Sequence, residues 1–394
     1  MTPETGRRLD ALARVCLRLA RTTPTGRVVL ARLADTVDPA WIPHPWGDEI
    51  AAELEQAREQ AAEPIDARRL ERALRDAWGG RWSDELDELD PDPVAVTPTS
   101  QVHRGVLDGA PVAIKVLRPG LAARARQDLM LLEGLTSALR TALPALDAAG
   151  MLRELRERIL DGLDLEHEAA MQRRFHRLLR DHPFLTVPAP VTRLAREGVL
   201  VSEWVDGVPM WRAPDPDLAA ARLVLFVLGS ARSGVIHADP DPDDALVIPD
   251  GRLAILDFGA TRTVDPVRVA AAAAGLQAIA EGDVDALGIA LEQLGWLSAS
   301  HAGTALELVR HGLGRFTAAA PLRLDGPAIL AARHRLRERQ EALGELVLAG
   351  VLPPEDLWPA RAVLQLFGAI SRVGATGRWL ALAREALAQA PSTP

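Results

Sequence analysis

Residues 236–259 read I-H-A-D-P-D-P-D-D-A-L-V-I-P-D-G-R-L-A-I-L-D-F-G, two groups of carboxylates on either side of a short apolar run. The apolar pieces Ala245–Ile248 and Leu253–Leu256 flank Pro249-Asp250-Gly251, a turn signal, so the stretch predicts a strand hairpin. Closing that hairpin sets Asp239, Asp244 and Asp257 on one rim. The second group ends in Asp-Phe-Gly. In kinase-type phosphoryl transfer a loop of the first kind supplies a base and a metal ligand, and the Asp of D-F-G holds Mg²⁺ on the nucleotide phosphates. The stretch therefore predicts a site for metal-bound nucleotide phosphates.

The segments before it supply the rest of such a site. Gln101–Leu107 and Pro111–Leu117 are rich in β-formers and joined through Asp108-Gly109, a strong hairpin signal. Val187–Val191 and Gly198–Trp204 read as two more strands, with Val205-Asp206-Gly207 as a turn. Leu121–Leu139, Met151–Leu179 and the region from Asp215 carry helical periodicity, and after Gly259 the chain reads as Ala/Leu-rich helix to about residue 390. Residues 1–35 predict an amphipathic helix with Leu9, Leu12, Val15, Cys16 and Leu19 on one stripe. Asp48–Gln60 and Asp66–Trp78 return to that period, and Pro91-Asp92-Pro93 ends the leader. The expected organisation is a helical extension over 1–90, a strand-rich lobe with inserted helices over 91–207, and a helical lobe over 208–394 that carries the catalytic and D-F-G loops. This is an α+β, protein-kinase-like two-lobed fold.

Composition narrows the function classes. With 394 residues and 48% hydrophobic residues, the chain can bury a sizeable core. A formal charge of −9 argues against general nucleic-acid binding, which favours a basic domain. The single cysteine, Cys16, excludes an internal disulfide and suits a reducing compartment. The first ten residues carry both charge signs and read as no signal peptide. The nearest candidates for a membrane span, Val269–Ala280 and Leu343–Val351, are short and bounded or interrupted by charge. A cytoplasmic protein, at most peripheral to a membrane, is expected.

Lys115, in V-A-I-K, ends a predicted strand, where its ammonium can reach phosphates across a cleft; a solvent-facing lysine is the plain alternative. It needs an acidic partner on a helix. Glu168 in D-L-E-H-E-A-A-M is the choice, with Asp164 one turn earlier on the same face and Glu133 as a competitor. Asp239 follows His237-Ala238, the H-x-D order in which Asp accepts a hydroxyl proton. Asp244 stands where kinases place a metal-binding Asn, and a carboxylate oxygen serves a hard cation equally well. D-P-D-P-D-D also mimics the start of a calcium loop, but the sixth and twelfth places hold Asp244 and Asp250 instead of Gly and Glu. His237 reads as a packed histidine beneath the loop. Glu203 follows the predicted fifth strand, at the place of an adenine-contacting hinge.

Taken in order, P-V-A-I-K-V-L-R-P-G, L-D-L-E-H-E-A-A-M, H-A-D-P-D-P-D-D and L-D-F-G resemble the UbiB/AarF atypical kinase-like family, over roughly residues 90–265. The resemblance implies binding of ATP and Mg²⁺. It implies the phosphate lysine at Lys115, its helix partner at Glu168, the loop Asp at Asp239 and the D-F-G ligand at Asp257. It also implies a role near isoprenoid-quinone or lipid chemistry, with an ATPase or phosphotransferase activity and a quinone or lipid precursor as partner. An alanine-rich loop replaces the kinase glycine loop in the family; Ala95-Val96-Thr97-Pro98 with Gln101 fits that place, so Ala95, Val96, Thr97 and Gln101 are expected at the nucleotide.

The departures concentrate in the opening stretch. The family loop H-A-D-P-H-P-G-N has Asp241, Asp243 and Asp244 here in place of His, Gly and Asn. The family's E-L-D is Gly162-Leu163-Asp164, and the leader motif K-x-G-Q has only Arg32-Leu33-Ala34-Asp35 near its place. Pro98 removes a backbone donor from the phosphate loop. Two functions follow from these residues: a Mg²⁺-dependent atypical kinase or ATPase, or a pseudokinase that acts as a nucleotide-responsive scaffold.

Overall fold

The computed structural model describes residues 63–130, 147–318 and 320–388. The predicted leader helices before residue 63, Cys16, the K-x-G-Q counterpart and Glu133 lie outside the described residues.

Helix α1 (Ala67–Trp78) starts where Asp66 accepts a hydrogen bond from the Arg69 N–H and ends at Gly79 in the left-handed conformation. Strands β1 (Glu88–Val96), β2 (Ser100–Leu107) and β3 (Ala110–Leu117) follow as an antiparallel meander. Asp108 and Gly109, both at positive φ, close the β2–β3 hairpin as the sequence predicts. β1 is a strand that the sequence reading missed. Its Pro91 and Pro93 suggest a break, yet β1 lies at the sheet edge and absorbs them in two register irregularities.

Next come α2 (Leu121–Met130), α3 (Ala148–Asp161) and α4 (Leu165–Leu178). The single helix expected over 151–179 is thus two. Asp164 breaks it, because its carboxylate caps α4 through the Glu166 and His167 N–H groups. β4 (Leu185–Thr186) and β5 (Val199–Glu203) come next, and β5 completes the sheet in the order β1-β2-β3-β5. The strand expected over 187–191 is reduced to one bridge, Pro190 to Ser202, since Pro188 and Pro190 cannot donate to a ladder.

One face of the four-stranded sheet, with Val112, Ile114, Val116, Val199 and Val201, packs under Leu70 and Leu74 of α1. Gly105 is required there: a Cβ would lie 2.5 Å from Ile114 Cδ1 and 2.7 Å from the Glu88 carbonyl. The other face meets α4, where Leu165 and Ala169 join Leu117, Leu121, Ala125 and Leu200.

β6 (Val208–Pro209) leads to α5 (Pro216–Arg232), capped by Asp215, the central helix of the larger core. Then β7 (Val235–His237), β8 (Ala245–Val247), β9 (Leu253–Ile255) and β10 (Thr261–Thr263) form two small ladders. The expected hairpin is β8–β9, turned at Gly251 with φ 87°. β10 pairs with β7, and β4 runs parallel to β9. α6 (Pro266–Glu281), α7 (Val284–Leu294), α8 (Ala302–Thr317), β11 (Leu322–Arg323), α9 (Gly326–Glu338), α10 (Gln340–Ala349), α11 (Leu357–Val373), β12 (Thr376–Gly377) and α12 (Trp379–Ala388) complete the described chain. β11 and β12 pair, a small interruption of the all-helical ending expected. No helix among the described residues is long and apolar enough to cross a membrane.

Candidate active site

Two ladders build the rim. The Ala238 N–H donates to the Ala260 carbonyl at 2.7 Å, beside the β7–β10 pair, and the Leu256 N–H donates to the Asp244 carbonyl at 3.0 Å, beside β8–β9. The loop 238–244 and the D-F-G turn are therefore pinned side by side at both ends. Alternation on β3 decides the third component. Val112, Ile114 and Val116 enter the core under α1, so Lys115 projects from the opposite face.

There Lys115 Nζ meets Glu168 at 2.7 Å (Oε1) and 2.9 Å (Oε2), and Asp257 Oδ2 at 3.1 Å. Glu168 is 1% exposed, in the buried stripe Leu165, Glu168, Ala169, Gln172 and Phe175 of α4. An exposed helix charge does not describe it. Burial raises its pKa against the pull of Lys115, and Asp257 adds to the rise. Asp164 sits one turn before Glu168 but is spent on the helix cap, away from the lysine. Asp257 Oδ1 accepts from the Gly259 N–H at 2.8 Å, which orients the carboxylate. His237 is buried among Phe175, Phe226 and Phe258. Its Nε2 donates to the Asp257 carbonyl, and burial lowers its pKa, so a neutral ring braces the D-F-G backbone.

The acidic loop is organised by groups that sequence reasoning did not assign. Asp239 Oδ1 receives Arg361 Nη2 at 2.8 Å and Gln365 Nε2 at 3.1 Å, both from α11. Arg372 of the same helix reaches Asp241 at 3.2 Å and Asp243 at 2.8 Å, and Trp211 Nε1 donates to Asp243 at 2.7 Å. These acids turn toward the helix, not toward a shared calcium position. Asp244 is the exception. Burial, then the neighbouring Asp257 and Asp241, push its carboxyl well above the usual range, with Lys115 opposing.

That excess of negative charge around Asp244 and Asp257 is what a divalent cation neutralises. Among the described residues no three His, Cys, Asp or Glu side chains converge on one metal position. Mg²⁺ does not need them, since it is commonly held by one or two carboxylates together with substrate phosphates and water. The donor set fits.

The remaining predicted contacts divide by strand face. Ala95 pairs with Val102, Val102 with Lys115 and Lys115 with Leu200, so Ala95 shares the lysine's face. Val96 pairs with Gln101 and Gln101 with Val116, on the opposite face. Gln101 is 1% exposed, accepts from the Ile65 N–H at 2.8 Å and donates to His103 at 2.6 Å. It is a structural group beneath α1, and the sequence expectation of a nucleotide contact from its side chain is corrected on that ground. Thr97 closes a tight turn: its N–H donates to the Ser100 carbonyl, and its Oγ1 accepts from the Thr99 and Ser100 N–H groups. Glu203 stands at the exposed end of β5, where its carboxylate accepts from the Ala189 N–H at 2.8 Å.

The family model described as the ABC1 atypical kinase-like domain matches residues 57–290. "Probable protein kinase UbiB" of Marinobacter nauticus is 28% identical over 56% of this chain and 43% of its own length. "Atypical kinase COQ8B, mitochondrial" of Rattus norvegicus is 30% identical over 52% of this chain and 40% of its own. The chain spans half or less of the length of the first curated relatives it matches, from 26% to 50%. Among solved structures, the complex of Rv3197 with erythromycin from Mycobacterium tuberculosis has a TM-score of 0.64 at 25% identity, covering 90% of each chain. The match to the family model takes in more than half of the sequence, including β3, α4, the acidic loop and D-F-G: this chain belongs to the ABC1 atypical kinase-like family.

Proposed function

We propose that the chain binds ATP with Mg²⁺ in the cleft between β3 and the D-F-G turn and hydrolyses it or transfers its terminal phosphoryl group slowly. The observation that carries this is Lys115, held at once by the buried Glu168 on α4 and by Asp257 of D-F-G. An ammonium fixed between two carboxylates is positioned to meet phosphate oxygens, and the pair ties the sheet to the D-F-G turn. Asp257 and Asp244 are the carboxylates that would hold Mg²⁺, which supplies charge neutralisation on the phosphates. Asp239, in the H-x-D order, would accept the proton of an attacking hydroxyl or water.

A second reading, a nucleotide-responsive pseudokinase, has its own support. In kinases the loop between the first two strands covers the phosphates. Here the N–H groups of Thr97, Thr99 and Ser100 are all consumed within the turn, and Pro98 has none. Weak phosphate contact at that turn fits slow or absent turnover. The family resemblance supports a quinone or lipid precursor as a partner, beside water or a protein hydroxyl as the phosphate acceptor. The erythromycin complex of the structural neighbour makes a macrolide a further small molecule to offer to the cleft.

Phosphate release from purified protein, with and without Mg²⁺ and beside Asp257→Asn, tests the enzyme reading. Release that needs Mg²⁺ and falls by about 10³-fold in the variant, roughly 4 kcal/mol of lost stabilisation, is the expected result. Equal release by both proteins contradicts it. Tight nucleotide binding without any release favours the pseudokinase.

A further inference from the structure

Arg361, Gln365 and Arg372 lie four and seven residues apart on α11, well past the end of the family match at residue 290. Steps of four and eleven residues return to one side of a helix, so the three form a polar row. The adjoining side of α11, with Ala362, Leu366, Ala369 and Ile370, is embedded in the main core, and this fixes the row in place.

The row meets the loop group by group. Arg361 spans two acceptors of adjacent residues: Nε donates to the Ala238 carbonyl at 3.1 Å while Nη2 reaches Asp239 Oδ1 at 2.8 Å. A guanidinium fork can hold a backbone carbonyl and a side-chain carboxylate at once, and a lysine ammonium cannot do so in the same geometry. Gln365, buried, donates to the same Oδ1, which sets the direction of the carboxylate. About two turns further on, Arg372 takes Asp241 and Asp243, the acids that replace the family's His and Gly. Three of the four acids in the loop are thus met by two cations on a single helix.

We propose that α11 is a working part of the phosphotransfer site: Arg361 and Gln365 are positioning residues for Asp239, and Arg372 clamps the substituted acids of the loop. This deepens the reading of Asp239 as the proton acceptor and rests on it. Asp241 and Asp243 become an anchoring device toward α11, and Asp244 alone of the three substitutions is left as a metal ligand. An interaction that aims a reacting group acts on the chemical step, so its loss lowers kcat and leaves nucleotide binding alone.

The test uses the full chain and measures kcat and KM for Mg·ATP, with melting temperature, for wild type, R361K, Q365M, D239N and D239N/R361K. R361K is expected to lower kcat by about 10²-fold, as a small misplacement of a reacting group does, with KM and melting temperature close to wild type. Q365M follows in the same direction with a smaller loss. The double variant is expected to be no slower than D239N alone, because Arg361 acts through Asp239. R361K with wild-type kcat beside an inactive D239N overturns the positioning role and leaves the Asp239 reading intact. Losses that add in the double variant, a raised KM, or a faster R361K overturn it too, the last by showing that Arg361 blocks the base. A D239N protein that turns over normally removes the Asp239 reading and this inference with it, as does a wild type that binds nucleotide and releases no phosphate.

Discussion

The two faces of the four-stranded sheet each bury a polar cluster, and the clusters are built on opposite principles. Under α1, Gln101 and His103 form a neutral network in which every partner is matched. Ile65 N–H donates to Gln101 Oε1, Gln101 Nε2 donates to His103 Nε2, and His103 Nδ1–H donates to the Asp90 carbonyl. Facing α4, Lys115, Glu168 and Asp257 form a charged cluster with one cation for two anions. Buried neutral groups with satisfied hydrogen bonds stiffen a fold. A buried cluster left with net charge stores a demand for a counter-ion, and buried ion pairs are poor stabilisers for their cost. The difference separates a face that serves the architecture from the face proposed as the site, even though Gln101 and Lys115 stand on neighbouring strands of one sheet.

The largest expected break of this comparison is Lys115→Met. It leaves Glu168 and Asp257 facing each other without a cation, at a cost of about 3–5 kcal/mol in stability. Glu168, whose pKa is already raised by burial, rises further without the lysine. A folded state that holds the extra proton loses stability as pH rises through the unfolded carboxylate range, near pH 4, toward the folded value. Urea unfolding of the variant should therefore show falling stability with rising pH. A variant as stable as wild type across that range contradicts the account.

A smaller effect is expected on the neutral face. Gln101→Leu orphans the Ile65 N–H and the acceptor nitrogen of His103, about 1–3 kcal/mol of stability, while ATP turnover per folded molecule is unchanged. Lost turnover at full folding would return Gln101 to the nucleotide site.

The smallest effect is a pH slope. His103 accepts at Nε2, so its ring is held neutral, and burial lowers its pKa. The unfolded chain binds the proton near pH 6.5, the folded chain only below that. This contribution is complete above about pH 6.5 and is lost as pH falls toward the folded value. His237 and His182, also lowered by burial, act with the same sign. The melting temperature should drop on mild acidification, and less steeply in His103→Gln. An identical slope in the variant removes His103 from the explanation.

Local signals in the sequence carried the cleft well. Asp108-Gly109 and Asp250-Gly251 signalled two hairpins, and V-A-I-K and D-F-G lay beside those turns, so the meeting of Lys115 and Asp257 was legible from short-range pattern. What escaped had no local signature. β1 was hidden by two prolines that only an edge strand tolerates. Asp164 looked like a second acid on the face of Glu168, because a cap and a helix-face charge are identical in spacing until the helix start is known. Gln101 lies one residue from the cleft face, and alternation cannot say which face is which without knowing where α1 packs. Arg361, Gln365 and Arg372 act on a loop more than a hundred residues away, and in sequence they are arginines and a glutamine on one more amphipathic helix.

The melting shift produced by Mg·ATP in wild type, Asp257→Asn and Gln101→Leu tests the contrast between the two faces most directly, since a ligand that binds only the native state raises its stability by mass action. The account predicts a clear shift in wild type, the same shift in Gln101→Leu from its lower starting temperature, and little or none in Asp257→Asn. A shift that survives Asp257→Asn and disappears in Gln101→Leu would place the nucleotide on the wrong face of the sheet and contradict it.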